Sequence, residues 1–173
     1  SDILSGFSSI LKQWSEFGSL HIKRSLNLEE GEKVWLHVFV DASPKATATA
    51  IYLSTSKSSD LILAKTRILP LNTLTVSKAE LLAAAIGCRS LKFIYDELTT
   101  VNIVDVYYYT DSQICISWIN SHNNFSNIYI RNRVTEIRNL SNSKWLYMES
   151  GRNPADLATK PYSLNKTLNT TLW

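Results

Sequence analysis

Two stretches of unbroken apolar, β-branched and aromatic residues dominate the hydropathy pattern: Val34 to Ser43, VWLHVFVDAS, and Val106 to Ser112, VYYYTDS. Neither holds proline or glycine and neither offers a clean polar side, which is the pattern of strands covered on both faces. Each run ends in an aspartate followed by small polar residues, so Asp41 and Asp111 are expected at strand ends. Ala46 to Ser54 and Leu61 to Leu69 read as two further strands. Turns at Ser43-Pro44-Lys45 and over the polar stretch 54–60 make the first three strands an antiparallel meander. Ser77 is expected to cap a helix, with Glu80 three residues on at capping-box spacing. Helical spacing then puts Glu80, Ala84, Gly87, Cys88, Leu91 and Ile94 on one face, pressed on the sheet. Asn102 to Thr110 is a fourth strand, reached through a helix and so able to lie parallel to the first. A helix opened by Asp111-Ser112 follows, then one over Asn127 to Leu140 with Ile130, Val134 and Ile137 inward. A short strand over Lys144 to Glu149 and a last short helix begun by Gly151-Arg152-Asn153-Pro154 complete the body. Ahead of it, Ile3, Phe7, Ile10, Leu11 and Trp14, then Phe17, Leu20 and Ile22, form an amphipathic arm rather than core.

The element order implies an α/β domain built on a mixed five-stranded sheet with helices on both faces. If the first and fourth strands are parallel neighbours, their spacing of about 4.8 Å brings Asp41 and Asp111 close enough to share a divalent cation. Glu80 and Asp156, each expected in a first helical turn, can face the same edge. Four crowded carboxylates repel one another, so the cluster makes sense as a site for hard cations with oxygen ligands, Mg²⁺ or Mn²⁺. Two such ions about 3.5 to 4 Å apart can activate a water and stabilise the leaving oxygen of a phosphodiester. For Glu80 the competing use is to cap the start of its helix.

Composition narrows the field further. With 173 residues, 45% hydrophobic and 19% charged, the chain suits one well-buried domain and not a disordered one. No apolar run approaches the roughly 20 residues of a membrane span, and the start lacks a signal-peptide pattern, so a soluble intracellular protein is expected. Cys88 and Cys115 sit among apolar helical residues and read as buried free thiols. The net charge of +3 lies in the second half: from Asp111 onward seven Lys and Arg face four Asp and Glu, an excess of three. That permits a nucleic-acid partner without demanding one. No glycine-rich phosphate loop follows a strand, Asp41-Ala42-Ser43 and Asp111-Ser112-Gln113 lack the glycine of an aspartic-protease loop, and His21, His37 and His122 have no ligand partners at useful spacing. The tyrosines and Trp118 read as core.

Taken together, VFVDAS, SKAELLAA, YTDSQ and NPADLATK resemble the Asp-Glu-Asp-Asp set of the ribonuclease H family, and in wording the ribonuclease H domain of BEL/Pao-type LTR retrotransposon polyproteins. The resemblance covers about Trp35 to Lys160. It implies a ribonuclease H-like fold with strand order 3-2-1-4-5, and catalytic and metal-binding roles for Asp41, Glu80, Asp111 and Asp156 with two Mg²⁺, or Mn²⁺ as substitute. It also implies hydrolysis of the RNA strand of RNA–DNA hybrids during reverse transcription, in the cytoplasm within virus-like particles. Ser43, Ser112 and Asn153, beside the carboxylates, are the candidate substrate contacts. Residues 1–32 resemble a connector from a preceding reverse transcriptase, which would be a partner within one polyprotein; residues 33–160 are then the catalytic domain and 161–173 a tail. Two features depart from cellular members of the family: no histidine stands in the loop Glu149 to Asn153, and no basic helix lies between Asn120 and Asn127. The rival reading is a non-catalytic module of the same fold that supports a polymerase; an integrase-like enzyme fits less well because the last acid is an aspartate.

Overall fold

In the computed structural model, which describes residues 2–16, 25–70, 74–141 and 144–160, the two apolar runs lie side by side in the middle of one sheet. β1 (Lys33–Ala42), β2 (Ala46–Ser54) and β3 (Ser59–Ile68) are the antiparallel meander. β4 (Asn102–Thr110) pairs parallel with β1, and the short β5 (Trp145–Tyr147) pairs parallel with β4. The order is therefore β3-β2-β1-β4-β5, as the resemblance implies. The helices are α1 (Asp2–Glu16), α2 (Val76–Glu97), α3 (Gln113–Asn120), α4 (Ile128–Leu140) and α5 (Asp156–Thr159), with a 3-10 turn over Ser150–Arg152.

Alternation along β1 decides what packs where. Val34, Leu36, Val38 and Val40 are fully buried and join Ile51 and Leu53 of β2 beneath Leu81, Ala84, Cys88 and Leu91 of α2. Gly87 lets α2 approach closely: a Cβ there would meet Val40 Cγ1 at 2.6 Å and Val38 Cγ1 at 3.2 Å. Val134 and Ile137 of α4 are buried in the same cluster, and both cysteines are buried free thiols. Arg138 of α4 donates to the carbonyls of Ile119 at 2.8 Å and Trp118 at 3.2 Å, and to that of Ser121. It thereby satisfies the unpaired carbonyls at the end of α3 and ties that helix to α4 across the loop where a basic helix is missing.

The alternate residues of β1 face the other way. There Phe39 stacks on Tyr109 with centroids 4.7 Å apart and meets Tyr52 edge-on at 5.6 Å. His37 shares hydrogen bonds with the Tyr109 hydroxyl at 3.1 Å and Ser54 Oγ at 2.8 Å, so it is a satisfied structural histidine. Tyr108 points to the first face and stacks on Trp145 at 4.8 Å in the core. α5 lies on the second face, over the ends of β1 and β2, where Thr159 reaches Asp41.

Several boundaries differ from the sequence reading. Thr75, not Ser77, caps α2, its hydroxyl accepting from the Lys78 N–H at 3.4 Å. Glu80 therefore stands in the second turn, beyond capping reach, and the capping use of its carboxylate falls away. β3 begins two residues early at Ser59, and β5 is shorter than the run Lys144 to Glu149. On α1, Ile3, Leu4, Phe7, Ile10 and Leu11 are exposed. Phe17, Leu20, His21 and Ile22, and the tail 161–173, lie outside the described residues. Among the described residues no helix is long and apolar enough to cross a membrane.

The close approach at Gly87 is testable. Gly87→Ala gains helix propensity but overpacks Val40 and Val38, for a net loss of about 1 to 3 kcal/mol in urea unfolding. Gly151→Ala, where a Cβ meets nothing within 4 Å, is the neutral control. A stabilised Gly87→Ala would show that α2 is not held against β1 as described.

Candidate metal centre

The parallel register of β1 and β4 builds the site. Phe39 pairs with Tyr109, so two residues further along each strand Asp41 and Asp111 leave the sheet at the same end. Asp156 opens α5 and is brought to them by the loop that precedes it. Asn153 in that loop donates from Nδ2 to the Val40 carbonyl at 2.9 Å and accepts the Ala155 N–H at 3.1 Å, which pins the start of α5 to the end of β1. One carboxylate oxygen from each of Asp41, Asp111 and Asp156 lies within 4.8 Å of the others. Glu80 is not in that tight group of three, but it is 5% exposed, its charge is felt together with all three, and its Oε2 has no hydrogen-bond partner.

Burial and mutual repulsion dominate the electrostatics. Burial above all, then Asp41 and Asp111, push Glu80 up to about 9 against the pull of the Ala42 N–H. Asp41 is raised to about 6, chiefly by burial and also by Asp111 and Asp156, while the Thr159 hydroxyl and the Lys160 charge pull it down. Asp111 is raised as well, again by burial first, with Ser150 opposing. A buried, unpartnered carboxylate oxygen beside three convergent carboxylates is costly unless a cation completes it. The donor set is all oxygen. It fits a hard divalent ion, and the residues available to hold one are Asp41, Asp111 and Asp156, with Glu80 beside them.

Around the acids the structure adds residues that the sequence reading passed over. Thr159 donates to Asp41 Oδ2, Ser150 donates to Asp156 Oδ1 at 2.7 Å, and the Lys160 ammonium pairs with Asp156 Oδ1. Thr159 and Lys160 stand three and four residues after Asp156 in the segment NPADLATK, a helical spacing that could have pointed to them. The candidate substrate contacts divide. Ser43 accepts the Ala46 N–H at 3.1 Å in its own turn and Ser112 caps α3 through the Cys115 N–H at 3.2 Å; both remain partly exposed. Asn153 differs from both: it is 0% exposed and both ends of its carboxamide are engaged within the fold, which ties the entry of α5 to β1.

The family model described as the Pao retrotransposon-like RNaseH-like domain matches residues 1–112. The chain belongs to this family. The matched part of this Pao-type domain holds Asp41, Glu80 and Asp111 and stops before Asp156. Solved structures similar to it include ribonuclease H1 of the archaeon Halobacterium salinarum, at 13% identity and TM-score 0.51, covering 79% of this chain and 98% of that one. LC11 ribonuclease H1 from compost, in complex with an RNA/DNA hybrid, aligns at 11% identity and TM-score 0.54 over 79% of this chain and 99% of that one. The prototype foamy virus protease-reverse transcriptase matches at 12% identity and TM-score 0.50, over 88% of this chain and 23% of that one. No curated protein sequence matches the chain. At these identities the structural likeness establishes the ribonuclease H-like fold of the Pao-type domain.

Two raised acid pKa values make a pH prediction for the cation-free domain. The fold keeps protons on Asp41 and Glu80 that the unfolded chain releases, so their contribution is complete only below about pH 4. Stability should fall as pH climbs from 3.8 to about 6 through Asp41, and from 4.5 to about 9 through Glu80. Melting midpoints in EDTA are expected to decrease from pH 5 to pH 8, and millimolar Mg²⁺ should remove most of that decrease. A midpoint that rises over this range in EDTA would contradict the raised pKa values of both acids.

Proposed function

We propose that the Pao-type domain is a ribonuclease that hydrolyses the RNA strand of RNA–DNA hybrids during reverse transcription of a retroelement, using two Mg²⁺ or Mn²⁺ ions. The observation that carries the reading is the convergence of buried Asp41 and Asp156 and half-buried Asp111 with the unpartnered Glu80 Oε2. When bound, a pair of divalent ions supplies an activated water and charge stabilisation for the leaving oxygen. Asp41, Glu80, Asp111 and Asp156 would hold the ions. Thr159 fixes the rotamer of Asp41, Ser150 that of Asp156, and Asn153 the approach of α5 to β1. Ser43 and Ser112, each within two residues of an acid and partly exposed, would offer their hydroxyls to phosphate or ribose oxygens.

The hybrid-bound LC11 relative and the reverse-transcriptase context of the foamy virus relative support the substrate and the polymerase partner. On this reading residues 33–160 are the catalytic unit, and residues 1–32, with the exposed apolar side chains of α1, connect it to a reverse transcriptase in one polyprotein. Among the described residues, no Lys or Arg lies in 121–127 and no histidine in 149–153, so this domain grips and releases its substrate with fewer groups of its own.

The test is cleavage of a labelled RNA–DNA hybrid against single-stranded RNA, duplex RNA and duplex DNA, with Mg²⁺ and with EDTA. Hybrid-selective, Mg²⁺-dependent cutting is expected, and Asp41→Asn or Asp111→Asn should abolish it. Each variant should melt in EDTA at or a few degrees above the wild-type temperature, because each removes repulsion. If no hybrid is cut in either metal, the domain is a non-catalytic support for the polymerase. Turnover offers a second prediction. Gly151 is exposed and a Cβ there meets nothing, whereas Ser150 bonds Asp156, so Gly151→His is the tolerated way to restore a histidine. It should raise steady-state turnover with little change in a single-turnover experiment, because a residue that helps product leave acts after the chemical step.

A further inference from the structure

We propose that the Lys160 ammonium is the resident counter-cation of the acid cluster and that divalent ions bind by displacing it. The proposal rests on reading the cluster as a metal centre, and it assigns a role to a residue that touches no reacting atom.

The geometry points to displacement. Lys160 stands one helical turn after Asp156 and folds back on it, pairing with Asp156 Oδ1 while its Nζ lies 3.4 Å from Ser150 Oγ. Its charge also reaches Asp41 and Asp111, so one ammonium serves three carboxylates. The two partners differ in freedom: the Lys160 side chain is 45% exposed, whereas that of Asp156 is 8% exposed. The carboxylate is held by α5 and Ser150, and the ammonium can swing to water on its flexible stem without disturbing the core. Lys160 is the one cation whose charge bears on both Asp41 and Asp111 among the described residues. A divalent ion on Asp156 would face a like charge on the same carboxylate unless Lys160 moves away. The cluster therefore has two alternative cations: the lysine, which partly offsets repulsion in the metal-free domain, and the divalent pair, which must outcompete it. The lysine sets the metal concentration at which the site fills.

The decisive comparison uses the full 173-residue chain, wild type against Lys160→Met, which keeps the apolar stem, and Lys160→Arg, which keeps the charge in a planar fork suited to a carboxylate. Mn²⁺ and Mg²⁺ affinities are read by calorimetry at fixed ionic strength, and melting temperatures in EDTA. Lys160→Met should bind Mn²⁺ more tightly by on the order of tenfold, the effect of one unit charge a few ångströms from a divalent ion in a water-like dielectric. It should also melt below wild type in EDTA and lose that difference in saturating Mn²⁺. Lys160→Arg should bind no tighter than wild type. Equal or weaker binding by Lys160→Met would overturn the proposal while leaving the metal centre intact. If neither wild type nor Lys160→Met takes up either ion, the metal-centre reading fails and this one with it. Should Lys160→Met not fold, Lys160→Gln gives the same comparison.

Discussion

Because β1 and β4 run parallel and in register, Asp41 and Asp111 leave the sheet at the same end one strand apart, and their repulsion is the constraint that the surrounding structure answers. Asp156 and Glu80 add to the charge rather than relieve it. A sheet built only for stability would not place four acids where burial raises the pKa of Glu80 to about 9 and that of Asp41 to about 6. The strain is tolerable because the rest of β1 is anchored so firmly. Val34, Leu36, Val38 and Val40 are fully buried under α2, and Gly87 lets that helix settle against them. Burying several such side chains at roughly 1.5 to 3 kcal/mol each outweighs the charge crowding at the strand end.

Three devices hold the acids in place while leaving them able to take a cation. Asn153 links the entry of α5 to the Val40 carbonyl, which fixes where Asp156 arrives. Thr159 and Ser150 each donate a hydroxyl to one carboxylate, ordering it without neutralising it. Lys160 contributes charge from a half-exposed position that can be given up. Glu80 is the exception. Its Oε2 is buried without a hydrogen-bond partner, the feature that a cation ligand role would account for.

Much of this was legible in the chain because the signals were local. The proline-free runs ending at Asp41 and Asp111, the strand Asn102–Thr110, and the helices opening near Ser112 and Asn127 all follow from side-chain period and turn chemistry, and the structure has them. Thr75 and Ser77 are both cap-type residues two positions apart, and the structure uses the earlier one. The bond from Asn153 was not legible in the chain. Its partner, Val40, is 113 positions away and comes into view only with the fold. Thr159 and Lys160 carry a weaker signal, their spacing of three and four residues from Asp156, which puts them beside it only once Asp156–Thr159 is known to be helical.

The central claim, that these four carboxylates form one cation site, is tested most directly by counting the protons released when Mn²⁺ binds at pH 7. Calorimetric titrations in two buffers of different ionisation enthalpy give that count. Glu80, raised to about 9, carries a proton at pH 7 that a cation on its carboxylate must expel. Release of close to one proton per domain is expected as the site fills, with loss of that release in Glu80→Gln. Binding with no proton released, or release unchanged in Glu80→Gln, would contradict the claim.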